Sequence, residues 1–336
     1  MSVEFPAAAA GLLIVLSLLL WKYLSVPAVS PASPVMSRSA IIAAREAALA
    51  EQALPAGLNL LSYKIESVLG QGGCGITYLA EDLDRGSKVA IKEFFPSALV
   101  SRGANHVVAL QTDDYTQAFT TGMQQFMNES RVLKAFKHPN VVRVERFFNW
   151  YNTAYMVMPY EEGHSLGQLR RQHVEFDQEG LLKLLAPLLD GLHAVHNEGF
   201  LHRDIKPSNI FVRTDRTPLL LDFGAVCQLK SKAGEMITPM VTPKFAPIEQ
   251  YSTGDQMGPW TDIYALGAVL YLLVTGSVPP EATMRQAKSG LFQPAVKAGD
   301  RSRFTANMLK AIDWALQFDP ERRPRSVPEF KEALRA

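Results

Sequence analysis

The stretch His202–Asn209, HRDIKPSN, sets a carboxylate, an ammonium and an amide in one short loop stiffened by Pro207. Lys206 and Asn209 stand two and five residues after Asp204. An acceptor, a cation and a metal-capable oxygen at that spacing suit transfer of a phosphoryl group, where charge has to be managed more than covalent bonds. Such chemistry also needs a nucleotide site and further metal ligands elsewhere in the chain.

Gly70-Gln71-Gly72-Gly73-Cys74-Gly75 lies between two strand-like runs, Ser67–Leu69 and Ile76–Ala80. Without Cβ atoms, backbone N–H groups in such a hairpin approach phosphate oxygens closely. A strand rather than a helix follows it, which excludes the dinucleotide-binding fingerprint. Lys92 interrupts the apolar run KVAIKEFF, 17 residues after Gly75. That register aims its ammonium at phosphates beneath the hairpin. A lysine there needs a counter-carboxylate. The run FMNESRVLKAFKHPNVVRV reads as a helix entering a strand, with Phe126, Leu133 and Phe136 as its apolar face and Glu129 as the candidate partner. Asp222, in Leu221-Asp222-Phe223-Gly224, follows Asp204 by 18 residues, after two apolar runs joined by a polar turn. A hairpin there returns Asp222 to the HRDIKPSN loop, so that Asn209 and Asp222 offer oxygens to Mg²⁺, a hard cation.

In this order GQGGCG, VAIK, Glu129 before HPNVV, HRDIKPSN, DFG, APIEQY, DIYALG and DPERRP resemble the protein kinases of the eukaryotic-like Ser/Thr type, in the style of bacterial membrane-anchored members. Each motif alone is a weak signal; their joint order is specific. The resemblance spans residues 63–336. It implies an α+β, bilobal protein kinase fold: a β-rich N-lobe with one main helix (63–158) and a mostly helical C-lobe (159–336). It implies ATP with Mg²⁺, or Mn²⁺, as cofactors and protein Ser/Thr hydroxyls as substrates, in membrane-associated signalling. In the family's pattern Gly70, Gly72, Gly73 and Gly75 cover the phosphates. Lys92 contacts the α- and β-phosphates and pairs with Glu129. Asp204 takes or orients the substrate hydroxyl proton, Lys206 stabilises the transferred charge, and Asn209 and Asp222 hold the metal. Thr242 is the expected partner of Lys206 and Asp204.

The same resemblance places adenine at the link YMVMPYEEGHSL, with Met158 as gatekeeper. Pro159 follows, where only a carbonyl is needed, so its missing donor costs nothing. Glu161 supplies the N–H, and Leu69, Ala90 and Phe211 sandwich the ring. Thr77 stands where the family usually has Val. His202 is expected as a packed scaffold residue, Asp262 as the clamp of the catalytic loop, and Glu249 with Arg323 as a buried pair. Arg203 implies control by a phosphorylated loop, with Thr238 or Thr242 as the modified residue and Ser231 as another loop hydroxyl.

Two departures stand out. The family's APE appears as APIE, which keeps Glu249. The stretch between Lys92 and Glu129 is long, and the expectation is an extra N-lobe hairpin whose role the family does not supply.

The 336 residues carry 34 basic and 33 acidic side chains, a balance that does not point to nucleic acid. The chain's two cysteines argue against a disulfide framework and suit a reducing compartment. Its seven histidines show no zinc-ligand spacing.

Phe5–Leu24 is a 20-residue apolar run with one charge, Lys22, and with Trp21 and Tyr23 near its end. A helix of that length spans a bilayer core. No basic residue precedes it, while Lys22, Arg38 and Arg45 follow, so a signal anchor over 1–24 with a cytoplasmic body is expected rather than a cleaved signal peptide. The expected location is the inner (cytoplasmic) membrane, single-pass. A Pro/Ser/Ala linker (25–36) and a juxtamembrane helix (37–57) follow, the helix serving as a stalk or packing on the main domain. Ligand sensing outside the membrane by this chain alone is not expected. The family's habits admit a cognate phosphatase and a dimer. Two rivals fare worse. A pseudokinase scaffold would lack Lys92, Asp204 or Asp222, and none is missing. A small-molecule kinase on this fold usually shows HGD in place of HRD.

Overall fold

The β-branched and aromatic runs between Asn59 and Pro159 form a six-stranded antiparallel sheet and a separate two-stranded one. The structure is a computed structural model, and it describes residues 51–222, 242–251 and 257–336. Contacts divide the chain into two units, Met1–Glu51 and Gln52–Ala336. The first lies almost wholly outside the described residues, as do Phe5–Leu24, the 25–36 linker and residues 37–50 of the expected helix. Among the described residues no helix is long and apolar enough to cross a membrane.

Residues 51–57 run as turns rather than helix, which corrects that part of the helix expected over 37–57. Pro55 and Gly57, at φ 86°, suit turns, and Leu54 turns into the core. Strand β1 (Asn59–Leu60) pairs with β2 (Tyr63–Gly72), so the folded body begins before Tyr63. Then come β3 (Gly75–Asp82), β4 (Ser87–Phe94), β5 (Val100–Arg102) and β6 (Val108–Leu110), followed by helix α1 (Thr116–Ala135). Next, β7 (Arg146–Trp150) and β8 (Thr153–Pro159) complete a sheet of order β1-β2-β3-β4-β8-β7. The expected extra hairpin exists: β5 pairs with β6, Val100 opposite Leu110. Helix α1 begins ten residues before Phe126.

Successive side chains of a strand face opposite sides, and here both faces are covered. Val89 and Ile91 join an outer core with Tyr78, Tyr155, Val100 and Val108. Phe94 faces the other way, against Phe126 of α1 and the core that continues into the C-lobe.

The C-lobe continues with β9 (Gly163–Ser165), α2 (Leu166–Arg171) and α3 (Gln178–Asn197). The hairpin β10 (Ile210–Arg213) and β11 (Pro218–Leu220) precedes α4 (Pro259–Thr275). Short helices α5 (Ala282–Ala287) and α6 (Ala295–Ala298) lead to α7 (Ala306–Ala315) and α8 (Val327–Arg335). Helix α4 buries 13 of its 17 residues, so it is a central scaffold packed on every side. Pro259 starts it, and Gly276, at φ 76°, ends it in the left-handed conformation.

Candidate active site

Helix α4 places Asp262 in its first turn, under the catalytic loop. Asp262 Oδ2 accepts from His202 N at 2.9 Å and Oδ1 from Arg203 N at 2.7 Å. His196 Nε2 lies 2.8 Å from the same carboxylate. Burial works against the Asp262 charge, but the His196 and loop hydrogen bonds outweigh it and its pKa is lowered. His202 is fully buried, and burial lowers its pKa. The ring is therefore neutral. Its Nε2 donates to Leu221 O at 2.8 Å, since a carbonyl only accepts, and its Nδ1 accepts from Asp204 N at 3.3 Å. The expected scaffold roles of Asp262 and His202 both hold.

Asp204 is the hub of the loop. Its Oδ2 accepts from Lys206 Nζ at 2.6 Å and Asn209 Nδ2 at 3.0 Å, and its Oδ1 accepts from Thr242 Oγ1 at 2.9 Å. Lys206 also reaches Thr242 Oγ1 at 3.2 Å. The expected grouping of Asp204, Lys206 and Thr242 is thus present. Asn209 Nδ2 donates to the Asp204 carbonyl at 2.9 Å, which leaves the Asn209 amide oxygen on the other side.

The hairpin β10–β11 returns the chain to this loop, as expected, and Leu221 N donates to Asn209 O at 2.9 Å. Asp222 follows at φ 48°, a left-handed conformation uncommon for a non-glycine residue. Lys92 Nζ donates to Asp222 Oδ1 at 2.6 Å. Burial acts against the Lys92 charge, yet Asp222, Glu129 and Asp204 together raise its pKa. Burial likewise opposes the Asp222 charge, and Lys92 and Lys206 more than offset it, so its pKa is lowered. Lys92 expected Glu129 as its partner. Glu129 is buried on α1 and supports the ammonium by its charge, but the direct lysine bond runs to Asp222.

A cavity of about 520 Å³ lies between these groups and the hinge. Leu69, Gly70, Thr77, Ala90, Met158, Pro159, Glu161, Phe211 and Asp222 line it, as the sequence reading expected. Val142, Leu219, Leu221, Gln168 and Arg171 also line it and were missed. The first three sit in apolar runs that read as core. Gly72 and Gly75 pair across the hairpin, with Gly73 and Cys74 at its turn. A Cβ on Gly75 would stand 2.4 Å from Glu93 O, so only glycine lets β3 start so close to β4. Cys74 is one of the chain's two cysteines. It sits half-buried at the hairpin turn, and the chain's other cysteine, Cys227, lies outside the described residues.

Among the described residues no three His, Cys, Asp or Glu side chains cluster as a metal cage. The Asn209 amide and the Asp222 carboxylate, the latter on the cavity wall, are hard oxygen donors, and this fits Mg²⁺, which usually keeps waters and phosphates among its ligands. Away from the cavity, Arg323 Nη1 and Nη2 bind Glu249 at 2.7 and 3.2 Å, both residues fully buried, as expected. Ser231, Thr238, Phe223 and Gly224 lie outside the described residues.

A two-lobed fold with this loop, lysine and carboxylate geometry is that of the protein kinase class. The protein kinase domain family matches residues 63–335, and the chain belongs to it. It is 30% identical over 287 residues to the serine/threonine-protein kinase pkn2 of Myxococcus xanthus, covering 82% of this chain and 32% of that protein. It is 30% identical over 284 residues to the serine/threonine-protein kinase D of Synechocystis, covering 81% and 51%. The chain thus spans about a third to a half of these relatives' length. The solved apo form of PpkA-294 superposes with a TM-score of 0.76 at 35% identity, covering 84% of this chain and 99% of that one.

Proposed function

We propose that the chain is an ATP-dependent protein kinase that phosphorylates serine and threonine hydroxyls. The observation that carries this is the Asp204 carboxylate holding both Lys206 Nζ and Thr242 Oγ1 within hydrogen-bond reach. Lysine two residues after the aspartate, with a threonine closing the triangle, is the arrangement of Ser/Thr rather than Tyr kinases in the family this chain resembles. The named relatives support the reading.

In this reading the cavity takes adenine against Ala90 and Phe211, with the Glu161 N–H facing it. Lys92 binds the α- and β-phosphates. Asn209 and Asp222 would hold Mg²⁺ or Mn²⁺, which neutralises phosphate charge. A bond forms between the substrate hydroxyl oxygen and the γ-phosphorus as the bond to the β–γ bridging oxygen breaks. Asp204 takes the hydroxyl proton, Lys206 stabilises charge on the moving group, and ADP leaves. Pre-organisation of charge supplies the rate.

Arg203 supports regulation by autophosphorylation: its Nε is buried and, among the described residues, has no hydrogen-bond partner, beside the catalytic loop. A phosphate on the loop would satisfy it. Thr242 already serves Asp204 and Lys206, which favours Thr238 as the acceptor. The Phe5–Leu24 run supports a membrane anchor with a cytoplasmic kinase body. Its test is alkaline extraction of membranes, and release of the chain with peripheral proteins would refute it.

The decisive assay incubates the full chain and its Asp204→Asn variant with Mg²⁺ and γ-labelled ATP, followed by mass mapping. Label on wild type alone, on serine or threonine, is expected. No label on wild type with ATP bound would overturn the kinase reading.

A further inference from the structure

Lys92, Glu93 and Phe94 are consecutive on β4, and each has a different task. Lys92 faces the catalytic loop side, where its Nζ donates to Asp222 on the cavity wall. Phe94 packs on α1, its ring centroid 5.5 Å from Phe119 and 5.8 Å from Phe126. Glu129 lies three residues beyond Phe126, on the same face of that helix. Glu93 turns the other way and is fully buried on the outer side of the sheet.

A buried carboxylate is tolerated only when its oxygens are satisfied. Glu93 Oε1 accepts from Tyr155 Oη at 2.7 Å, and Oε2 accepts from Tyr78 Oη at 2.7 Å and Arg102 Nη2 at 2.6 Å. Burial and the Glu93 charge push both tyrosines up, so they remain donors. Arg102 belongs to β5 of the insertion. Its other groups bind the insertion and the chain just before the sheet: Nη1 donates to His106 O at 3.0 Å, Nε to Gln52 O, and its backbone N to Gln52 Oε1 at 2.6 Å. Its guanidinium lies 4.9 Å from the Phe95 ring centre. Leu54 N donates to Tyr78 Oη at 3.1 Å. The insertion then runs straight into α1, whose Ala118 joins the outer core.

We propose that the insertion acts as a positioning device for the catalytic lysine: Arg102, gripping Glu93 on one side and Gln52 on the other, fixes β4 at Lys92 and the helix that carries Glu129. The inference rests on the reading of Lys92 as the phosphate-binding lysine. The cost of leaving Glu93 unpaired keeps the insertion in place. The adjoining residues Lys92 and Phe94 pass that constraint to the site. Arg102 and Gln52 are positioning residues, because neither reaches the cavity lining.

The test uses the full chain, with kcat and KM for ATP measured from ADP release, and thermal unfolding measured alongside. The double variant Glu93→Gln/Arg102→Met keeps an oxygen for the tyrosines and removes both charges, a change that buried pairs often tolerate. Its kcat is expected to fall about tenfold, because small misplacements at a reacting centre are costly. KM for ATP should stay within about twofold, since the adenine lining is untouched. Gln52→Ala should lower kcat about threefold at an unchanged unfolding midpoint, and Arg102→Lys should recover part of the loss. Wild-type kcat in Gln52→Ala and in the folded double variant overturns the proposal. If the double variant does not unfold cooperatively, Gln52→Ala decides alone. Lys92→Met separates the two levels: full activity there sinks the reading of Lys92 itself. Loss there, with wild-type kcat in Gln52→Ala and in the folded double variant, sinks only the positioning role.

Discussion

Asp262 Oδ1 lies 2.7 Å from the backbone nitrogen of Arg203, which adopts a left-handed φ of 63°. The bond ties the loop's strained residue to the most buried helix of the C-lobe. Asp262 sits at that helix's N-terminal turn, where the dipole favours its charge. Asp262→Asn keeps one oxygen and loses the charge that His196 and both loop amides share. The expected result is a loss of about 2–3 kcal/mol in denaturant unfolding, with kcat reduced more than KM for ATP, because Asp204 is displaced while the adenine lining stays. Wild-type kcat in the folded variant would count against the clamp.

Acid should weaken the fold in two stages. His202 is held below its ordinary 6.5 by burial, so the unfolded chain binds a proton that the native ring refuses. Stability is full above pH 6.5 and declines as pH falls below it. Asp262 is held below 3.8, burial opposing its charge but hydrogen bonds prevailing. Its contribution is present above pH 3.8 and fades as pH falls through the native pKa. His138, also lowered by burial, adds to the first stage. Unfolding midpoints from pH 8 to pH 4 in about half-unit steps follow the upper decline. His202→Asn should make it shallower, and an unchanged slope would refute the assignment.

The Glu249–Arg323 pair offers a double-mutant test. Arg323 also donates to Gln317 O at 2.7 Å and Phe318 O at 2.8 Å, and Thr261 Oγ1 donates to Glu249 at 3.1 Å. Removing one partner strands a charge, so Arg323→Met should cost about 3–5 kcal/mol. The double replacement Glu249→Met/Arg323→Met should cost less than the two single losses summed. Additive losses in urea titration would mean the two side chains act independently.

Much of this site was legible because its residues are polar groups at fixed spacings. Asp204, Lys206 and Asn209 are constrained by one short loop, and the 18 residues to Asp222 fit a hairpin. Val142, Leu219 and Leu221 were not legible, because an apolar residue looks the same in sequence whether it lines a cavity or the core. The insertion's hairpin could be expected, but not Glu93's place. A glutamate beside Lys92 reads as solvent-facing until Tyr78, Tyr155 and Arg102, drawn from three other strands, are brought around it. The sequence placed the start of α1 in the stretch before Glu129 but not at Thr116, because Thr116–Gln125 has few apolar residues and contains Gly122, so its periodicity is weak. Turns over 51–57 replaced the expected helix because Leu54 is better used filling the sheet's outer core.

The hinge carries a clamp that the motifs do not announce. Glu161 is expected to face adenine through its N–H, and its carboxylate is held by Arg213 Nε at 2.9 Å and Nη2 at 3.1 Å. The same guanidinium donates to Pro139 O at 3.1 Å, in the turn after α1. Arg213 therefore ties the hinge to the C-lobe hairpin and to the HPN turn at once. Its planar fork matches a carboxylate in a way lysine's single ammonium does not. Arg213→Lys should raise KM for ATP about three- to fivefold while kcat at saturating ATP stays near wild type, the signature of lost uniform binding. Glu161→Gln should give the same shift, and the two changes combined should add little, since both break one contact. Steady-state kinetics over an ATP series reads this directly. A fall in kcat with KM unchanged would assign the clamp to the HPN turn and the helix before it rather than to adenine.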